Sequence, residues 1–183
     1  MATTLDLLYP GEDTLWSPYS GAEGRRPYRY FLRRLTNKTS GLAEPDKPPI
    51  AFVLLNPSTA DETKDDPTVA KCRRHAALWG FGEVIILNAF AYRATDPQAM
   101  RAQPDPVGPR NDDVILHTCE VVQNALGGAI VCGWGNHGAH MGRSASLLEL
   151  LAPFALQALK ISKTGEPSHP LYLRMDTQLV DYG

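Results

Sequence analysis

Four short apolar runs, each bounded by turn-forming residues, organise the hydrophobic pattern of this chain. They are Ile50 to Leu55, Phe81 to Leu87, Ala129 to Cys132 and Leu156 to Ile161. Apolar runs of this length between turn signals are typical of buried β-strands. The first three are therefore predicted to be strands, whereas the fourth fits either a strand or the end of the preceding helix.

Stretches with apolar residues at helical spacing separate these runs. They are Pro67 to Trp79, Asp112 to Ala125, and Ser144 to Leu159, the last interrupted at Pro153. In the first stretch, Pro67 fits the first helical turn, with Asp65 or Asp66 as the cap. In that helix, His75 is predicted to face outward or toward a ligand.

The alternation of strands and helices predicts mostly parallel β-α units with right-handed crossovers. We expect one α/β domain over residues 1–183, a three-layer α/β/α sandwich around a mostly parallel sheet of about four strands. Residues 28–36 alternate apolar and basic side chains, which predicts an added, half-exposed antiparallel strand from the N-terminal region. Residues 1–27 are expected to be an irregular lead-in with room for one short strand, and residues 37–49 a loop.

The composition is that of a globular protein, because 43% of the 183 residues are hydrophobic and 21% are charged. A formal net charge of −2 argues against a protein that binds polyanions over its whole surface. The three cysteines lack CxxC spacing, which disfavours a disulfide framework or a cysteine-rich metal or cluster site, and no cofactor is expected. Without a run of roughly 18 apolar residues or a signal peptide, we expect a cytoplasmic protein that does not associate with membranes.

Polar residues follow the predicted strands at four places. They are Asn56-Pro57-Ser58-Thr59, then Asn88 with Tyr92 and Arg93, then Trp134 and Asn136, and finally His169-Pro170. In open α/β sheets, ligands bind beyond the carboxyl ends of the strands, so four such places predict one shared pocket. Asparagine amides suit the edge of a nucleobase or the positioning of a water, and histidine suits an oxygen that becomes negative.

The same residues also have plainer interpretations. The NPST segment fits a turn that caps the next helix, Trp134 fits core or rim packing, and His169 fits a hydrogen bond within a loop. Asp61 and Asp66 belong to an acidic run that fits either a helix cap or an acid/base or Mg²⁺-binding group. His137 and His140 have a spacing that suits a metal, but a carboxylate or thiolate partner is not evident, so no metal site is predicted.

Several segments of the chain resemble a known family. The segments LNPSTADETKDDPTVAKCRRHAALWGFGEVIILNAFAYRATDP, GPRND, CGWGNHG and KTGEPSHPLYL resemble the bacterial and phage family catalogued as domain of unknown function 1643, over about residues 28–173. That resemblance implies little about activity. More distantly, the order of the motifs resembles the uracil-DNA glycosylase superfamily, which implies its fold.

In that superfamily, one asparagine positions the attacking water, a second binds the base, and a His-Pro motif precedes a loop that enters the minor groove. The resemblance implies these roles for Asn56, Asn88 and His169-Pro170-Leu171, respectively. The chain departs from the pattern in three respects. Ser58 stands in place of a glycine, an aromatic residue to stack on uracil is not evident, and the cluster-ligating cysteines of some members are absent.

Together, the strand ends and the resemblance predict an enzyme that acts on the N-glycosidic bond of a nucleotide or of a base in DNA. Asn56 would orient water with Asp61 or Asp66 as a base, Asn88 would read the base, and His169 would stabilise charge on the departing base. The remaining strand-end residues would bind the substrate: Pro57, Ser58, Thr59, Tyr92, Arg93, Trp134, Asn136 and Pro170. Two alternatives stay open, a module that binds a nucleotide or modified base without cleaving it and a Mg²⁺-dependent phosphate-ester hydrolase.

Overall fold

A computed structural model describes residues 14–16, 26–37, 44 and 46–183 of the chain. Seven strands form one sheet, in the order β1-β2-β4-β3-β5-β6-β7. Their bounds are β1 Thr14–Trp16, β2 Arg29–Leu35, β3 Pro49–Leu54, β4 Glu83–Asn88, β5 Ala129–Cys132, β6 Leu156–Ala158 and β7 Val180–Asp181.

The centre of the sheet consists of four parallel strands, β4, β3, β5 and β6. Antiparallel strands extend it on both sides, β2 and β1 beyond β4 and β7 beyond β6. The four predicted parallel strands and the antiparallel addition from the N-terminal region are therefore present, but the sheet as a whole has seven strands rather than about four. The two-residue strand β7 was not predicted, because so short a strand carries no periodic signal.

Helices cover the sheet. They are α1 Pro67–Leu78, α2 Pro97–Arg101, α3 Asn111–Asn124 and α4 Arg143–Leu151. Buried side chains of α1 pack with Ile50, Phe52 and Ile86 in one apolar cluster. Those of α3 and α4 pack with Val53 and Ile85 in a second cluster. Neighbouring strand residues thus contribute to different clusters, as expected for side chains that alternate between the two faces of a sheet. With helices packed on this sheet, the protein has a mixed α/β fold.

Strand β2 differs from the half-exposed strand that its pattern predicts. Its first four residues are buried, including Arg29 at 1% exposure. The reason is its position in the sheet, since β2 pairs with both β1 and β4. Arg29 can be buried because its Nη1 atom donates a hydrogen bond to the carbonyl of Ala60 at 2.8 Å. A basic residue in an alternating pattern therefore does not always mark an exposed face.

Helix α1 begins as predicted, and the structure identifies its cap. Asp66 accepts a hydrogen bond from the Val69 N–H at 2.9 Å, and Pro67 follows it. The predicted outward orientation of His75 is wrong, because this residue is fully buried and its ring lies 4.9 Å from that of Trp79. Burial, together with the nearby positive charges of Lys71 and Arg74, lowers the pKa of His75.

The segment around Pro153 resolves the ambiguity of the fourth apolar run. Helix α4 ends at Leu151, and the chain then forms β6, so the strand interpretation is the correct one. The long loop after β4 contains the short helix α2, which was not predicted from the sequence. Most of the predicted lead-in and part of the loop at 37–49 lie outside the described residues. Within the described ranges, every helix is too short or too polar to cross a bilayer.

Candidate functional site

A pocket of about 630 Å³ opens at the carboxyl ends of β3, β5 and β6. It lies where the order of the parallel strands reverses, since β4 and β5 flank β3 on opposite sides. Ligands of open α/β sheets bind at such a reversal. Its walls include residues after β3 (Asn56, Ser58), after β5 (Trp134, Asn136, His137) and after β6 (Lys160, Ser162, Ser168, His169, Tyr172).

Asn56 presents an unused hydrogen-bond acceptor in this pocket. Its Nδ2 atom donates to the carbonyl of Ala94 at 2.7 Å and to that of Pro57 at 3.0 Å. Both amide hydrogens are then engaged, which fixes the plane of the side chain. Its Oδ1 atom accepts no hydrogen bond from the described residues. Asn56 can therefore hold a water or a donor group of a ligand.

His169, which lines the same pocket, has a donor atom that the described part of the fold leaves unused. Its Nδ1 atom accepts a hydrogen bond from the Leu171 N–H at 3.3 Å, so the neutral ring carries its proton on Nε2. Burial lowers the pKa of His169 to about 4, although the negative charge of Asp66 opposes this shift. The imidazole is therefore neutral at pH 7, and its Nε2–H is available as a donor.

The 3-10 turn Pro170–Tyr172, which follows His169, is held from two sides. Lys71 of α1 donates from Nζ to the carbonyls of Leu171, at 2.9 Å, and Leu173. On the other side the turn packs against Gly133 at the end of β5, where a Cβ atom would lie 2.9 Å from Pro170 Cδ. These contacts fix the turn that carries the imidazole relative to the sheet.

Trp134 and Asn136 line the pocket but use most of their polar atoms inside the protein. Trp134 is 1% exposed and donates from Nε1 to Glu166 at 2.7 Å and to Ser144 at 3.2 Å, which favours the packing interpretation. Asn136 Oδ1 accepts from the hydroxyls of Ser162, at 3.1 Å, and Thr164. Its Nδ2 group is left for a ligand.

The acidic run lies outside the pocket lining and serves the scaffold. Asp61 accepts from the N–H groups of Thr63, at 2.9 Å, and Lys64, at 2.8 Å, and these bonds lower the pKa of its carboxyl. Asp66 is 8% exposed and caps α1. Neither Asp61 nor Asp66 lines the pocket, although the negative charge of Asp66 acts on His169, and Asp66 serves as the predicted helix cap.

Asp65, between these two, joins β2 to α1. Its carboxylate bonds Arg34 Nε at 2.8 Å and Arg73 Nη1 at 2.5 Å, with all three side chains largely shielded from solvent. Burial alone would raise the pKa of Asp65, but the hydrogen bonds from the two guanidinium groups outweigh it and hold the pKa below its usual value. This carboxylate is a structural clamp.

The other predicted site residues also lie outside the pocket lining: Pro57, Thr59, Asn88, Tyr92, Arg93 and Pro170. Asn88 is 1% exposed, and its Nδ2 atom has no hydrogen-bond partner among the described residues. Because β4 pairs with β3 at Leu54, Asn88 lies within the sheet rather than beyond its edge. Arg93 Nε donates to the carbonyl of Ser58 at 2.9 Å and so supports the loop that carries a pocket residue.

Several residues that line the pocket were not predicted from the sequence. Lys160, Ser168 and Tyr172 all belong to the segment that follows β6. Tyr172 is 84% exposed. In this segment the sequence pointed only to His169-Pro170, because the end of β6 was ambiguous and the residues directly after Ala158 were not recognised as following a strand. Among the described residues, no group of three or more His, Cys, Asp or Glu could hold a metal ion.

Comparison with known proteins identifies the family. The model of the family described as "Protein of unknown function (DUF1643)" matches residues 29–171, which is most of the chain. The protein belongs to this family. No curated protein and no solved structure matches the chain.

Proposed function

We propose that this protein is a glycosylase-like enzyme that hydrolyses the N-glycosidic bond of a nucleotide or of a base in DNA. One observation carries the proposal. A fixed amide acceptor, Asn56 Oδ1, and a neutral imidazole donor, His169 Nε2, belong to the lining of one pocket at the carboxyl edge of the sheet. This reaction needs an acceptor to orient water and a donor to stabilise the departing base.

The chemistry follows from these two groups. Water, held by Asn56 Oδ1, adds its oxygen to the anomeric carbon of the sugar while the bond from that carbon to the base nitrogen breaks. The electron pair leaves with the base, and the His169 N–H stabilises the negative charge that develops there. The proton lost by water ends on the base. A neutral donor suits this role, because it stabilises the charge without having to lose its own proton.

Two of the roles expected from the sequence change in this proposal. Asp61 and Asp66 no longer serve as a base, since their carboxylates are bonded to the backbone outside the pocket. Asn88 no longer reads the base, since it does not line the pocket, and Asn136 Nδ2 replaces it as the amide available to a base edge. Nucleotide or nucleic acid is the partner that these roles imply.

We also propose that the fold is a three-layer α/β/α sandwich of the uracil-DNA glycosylase type. Helices in contact with two different clusters on the sheet fit a three-layer α/β/α sandwich. The motif order fits the uracil-DNA glycosylase superfamily, with Asn56 in its first motif and His169-Pro170 in its last. The site geometry supports this likeness at those two motifs and not at Asn88.

The proposal is tested by base release. The purified protein is incubated with nucleotides and with oligonucleotides that contain modified or mismatched bases, and free base is separated and quantified. We expect release by the wild type and a loss of about 10²-fold or more in Asn56→Ala, with ligand affinity largely kept. Asn124→Ala, at the exposed end of α3, is the matched control and should retain full activity.

A second variant isolates the imidazole. His169→Asn keeps an acceptor near the Leu171 N–H and removes the Nε2 donor, so turnover should fall while the turn stays in place. His117→Asn, on the exposed surface of α3, serves as its control. Folded protein that releases no base from any of these substrates would overturn the proposal.

One observation favours a second candidate, a binding module for the same ligands. Within the described part of the chain, the pocket lining contains no carboxylate that could accept a proton from water. Under this alternative, Asn56→Ala weakens nucleotide binding and there is no turnover to lose. The Mg²⁺-dependent hydrolase has less support, because the acidic run is bonded within the scaffold.

A further inference from the structure

The pocket differs in charge from the protein as a whole. The full chain carries a formal net charge of −2. The described lining of the pocket, in contrast, includes no Asp or Glu and one lysine, Lys160. Because His169 is neutral at pH 7, Lys160 supplies the formal positive charge of this lining. The residues that line the pocket thus carry a formal positive charge, although the chain as a whole has a negative net charge.

Lys160 is not engaged in holding the fold. Its backbone carbonyl accepts from the Ser168 N–H at 2.7 Å, which joins the two arms of the loop after β6. Its ammonium group, in contrast, has neither a hydrogen bond nor an ion pair among the described residues. Lys71 of α1, by comparison, donates to the carbonyls of Leu171 and Leu173. One lysine therefore serves the scaffold, and the other is available to a ligand.

The pocket also offers hydroxyl donors. The side-chain hydroxyls of Ser58, Thr68 and Ser168 line it and make no hydrogen bond to other described residues. An ammonium group with several hydroxyl donors, in a lining without carboxylates, complements a group that carries negative charge and many acceptor oxygens. Phosphate has this chemistry, and a carboxylate in the lining would oppose its binding.

We propose that Lys160 forms a phosphate subsite of this pocket, which takes the phosphate of a nucleotide. The inference rests on the proposed function, which supplies the nucleotide, and it adds the group by which the ligand is anchored. The phosphate is a monoester in a free nucleotide and a diester in a nucleic acid strand. The subsite recognises the same charged oxygens in both.

The test compares ligands that differ only in phosphate. A nucleoside, its 5′-monophosphate, inorganic phosphate alone and a short single-stranded oligonucleotide are titrated into the wild type by calorimetry at low salt. We expect the monophosphate to bind at least about tenfold more tightly than the nucleoside, and this preference to shrink as salt is added. An oligonucleotide that binds more tightly than the monophosphate identifies a polymer as the source of the phosphate, and the reverse identifies a free nucleotide.

Matched lysine variants show whether the preference for the monophosphate depends on Lys160. Lys160→Gln should remove most of the preference for the monophosphate and leave nucleoside affinity unchanged, and Lys160→Arg should restore part of the preference. Lys163→Gln, on an exposed lysine of the same loop that does not line the pocket, should behave as the wild type.

The outcomes separate this inference from the proposed function. Base release with equal affinity for nucleoside and monophosphate overturns the phosphate subsite and leaves the glycosylase proposal standing. Phosphate binding that depends on Lys160, without base release, supports the subsite and overturns the enzyme. If Lys163→Gln loses the preference as fully as Lys160→Gln, or if no phosphate ligand binds, the subsite is wrong.

Discussion

The acidic run after β3 and the pair Asn56 and His169 look like equal candidates for chemistry, yet the fold uses them in opposite ways. The carboxylates of Asp61, Asp65 and Asp66 each accept hydrogen bonds from backbone or guanidinium groups. Asn56 and His169 bond the backbone with one atom and retain a second polar atom on residues that line a pocket. The three carboxylates therefore hold the scaffold together away from the pocket lining, whereas an unused polar atom on a residue that lines the pocket marks a candidate for function.

Asp65→Asn is the sharpest test of the claim that the carboxylates of the acidic run hold the fold together. It leaves Arg34 and Arg73 without their shared carboxylate in a shielded position, and breaking such a pair costs about 3–5 kcal/mol of unfolding free energy. Urea denaturation measures this loss. The exposed control Asp113→Asn should cost less than about 1 kcal/mol. A loss below that level in Asp65→Asn would show that the run is not a clamp.

The pH dependence of stability separates the two regions. His169 has a pKa of about 4 when folded and a higher one when unfolded, so the unfolded state binds the proton first. His169 should therefore lower stability as pH drops from about 6.5 to about 4, by at most about 1.4 kcal/mol per pH unit, and His75, whose pKa burial also lowers, acts in the same direction. His169→Asn should flatten this part of the profile relative to the wild type.

Asp65 acts in a lower pH window. Its folded pKa lies below the unfolded value of about 3.9, so its contribution is present above that pH and is lost as pH falls through the folded pKa. Unfolding measured between pH 2 and 8 resolves the two windows. If His169→Asn changes the stability profile below pH 4 and leaves the profile above pH 4 unchanged, the assignment of the two pH windows to His169 and Asp65 is wrong.

A smaller effect is expected from the helix cap. Asp66→Ala removes the acceptor for the Val69 N–H and should cost about 0.5–2 kcal/mol of unfolding free energy. Asp96→Ala removes the corresponding acceptor from the five-residue helix α2 and should cost less, because that helix is short and buries only Met100. Base release per folded molecule should not change in Asp66→Ala, and a turnover loss like that of Asn56→Ala would return Asp66 to the site.

The smallest effect is expected at Thr59, which the sequence analysis placed in the site. Its side chain is exposed and does not line the pocket. Thr59→Ala should change stability by no more than about 0.5 kcal/mol and should leave ligand affinity unchanged. Urea denaturation checks the first expectation, and calorimetric titration alongside Ser58→Ala, one residue earlier and in the pocket lining, checks the second.

The central part of the fold could be predicted because its signals are local. The apolar runs that became β3, β4 and β5 are bounded by turn residues, and α1 shows both its cap and its first-turn proline. Burial set by tertiary packing gave no such signal. His75 lies inside although its neighbours in sequence suggest an outer face, and Arg29 is buried because two strands flank β2.

The candidate site was only partly predictable for a related reason. The rule that ligands bind at strand ends identified Asn56, Asn136 and His169, which lie on three different strand connections. It did not distinguish Asn88, which ends β4 on the far side of β3 from β5 and β6. It also missed Lys160. An exposed lysine becomes a candidate for ligand binding only when the structure shows that the described pocket lining around it contains no carboxylate.

The most direct test is a crystal structure of the protein with a nucleotide that carries a non-cleavable glycosidic linkage. We predict that the ligand occupies the pocket beyond β3, β5 and β6. A water or sugar hydroxyl should lie about 2.7–3.2 Å from Asn56 Oδ1, and an oxygen of the base should lie within the same range of His169 Nε2. A nucleotide bound at the acidic run, or one in the pocket that contacts neither atom, would contradict the account.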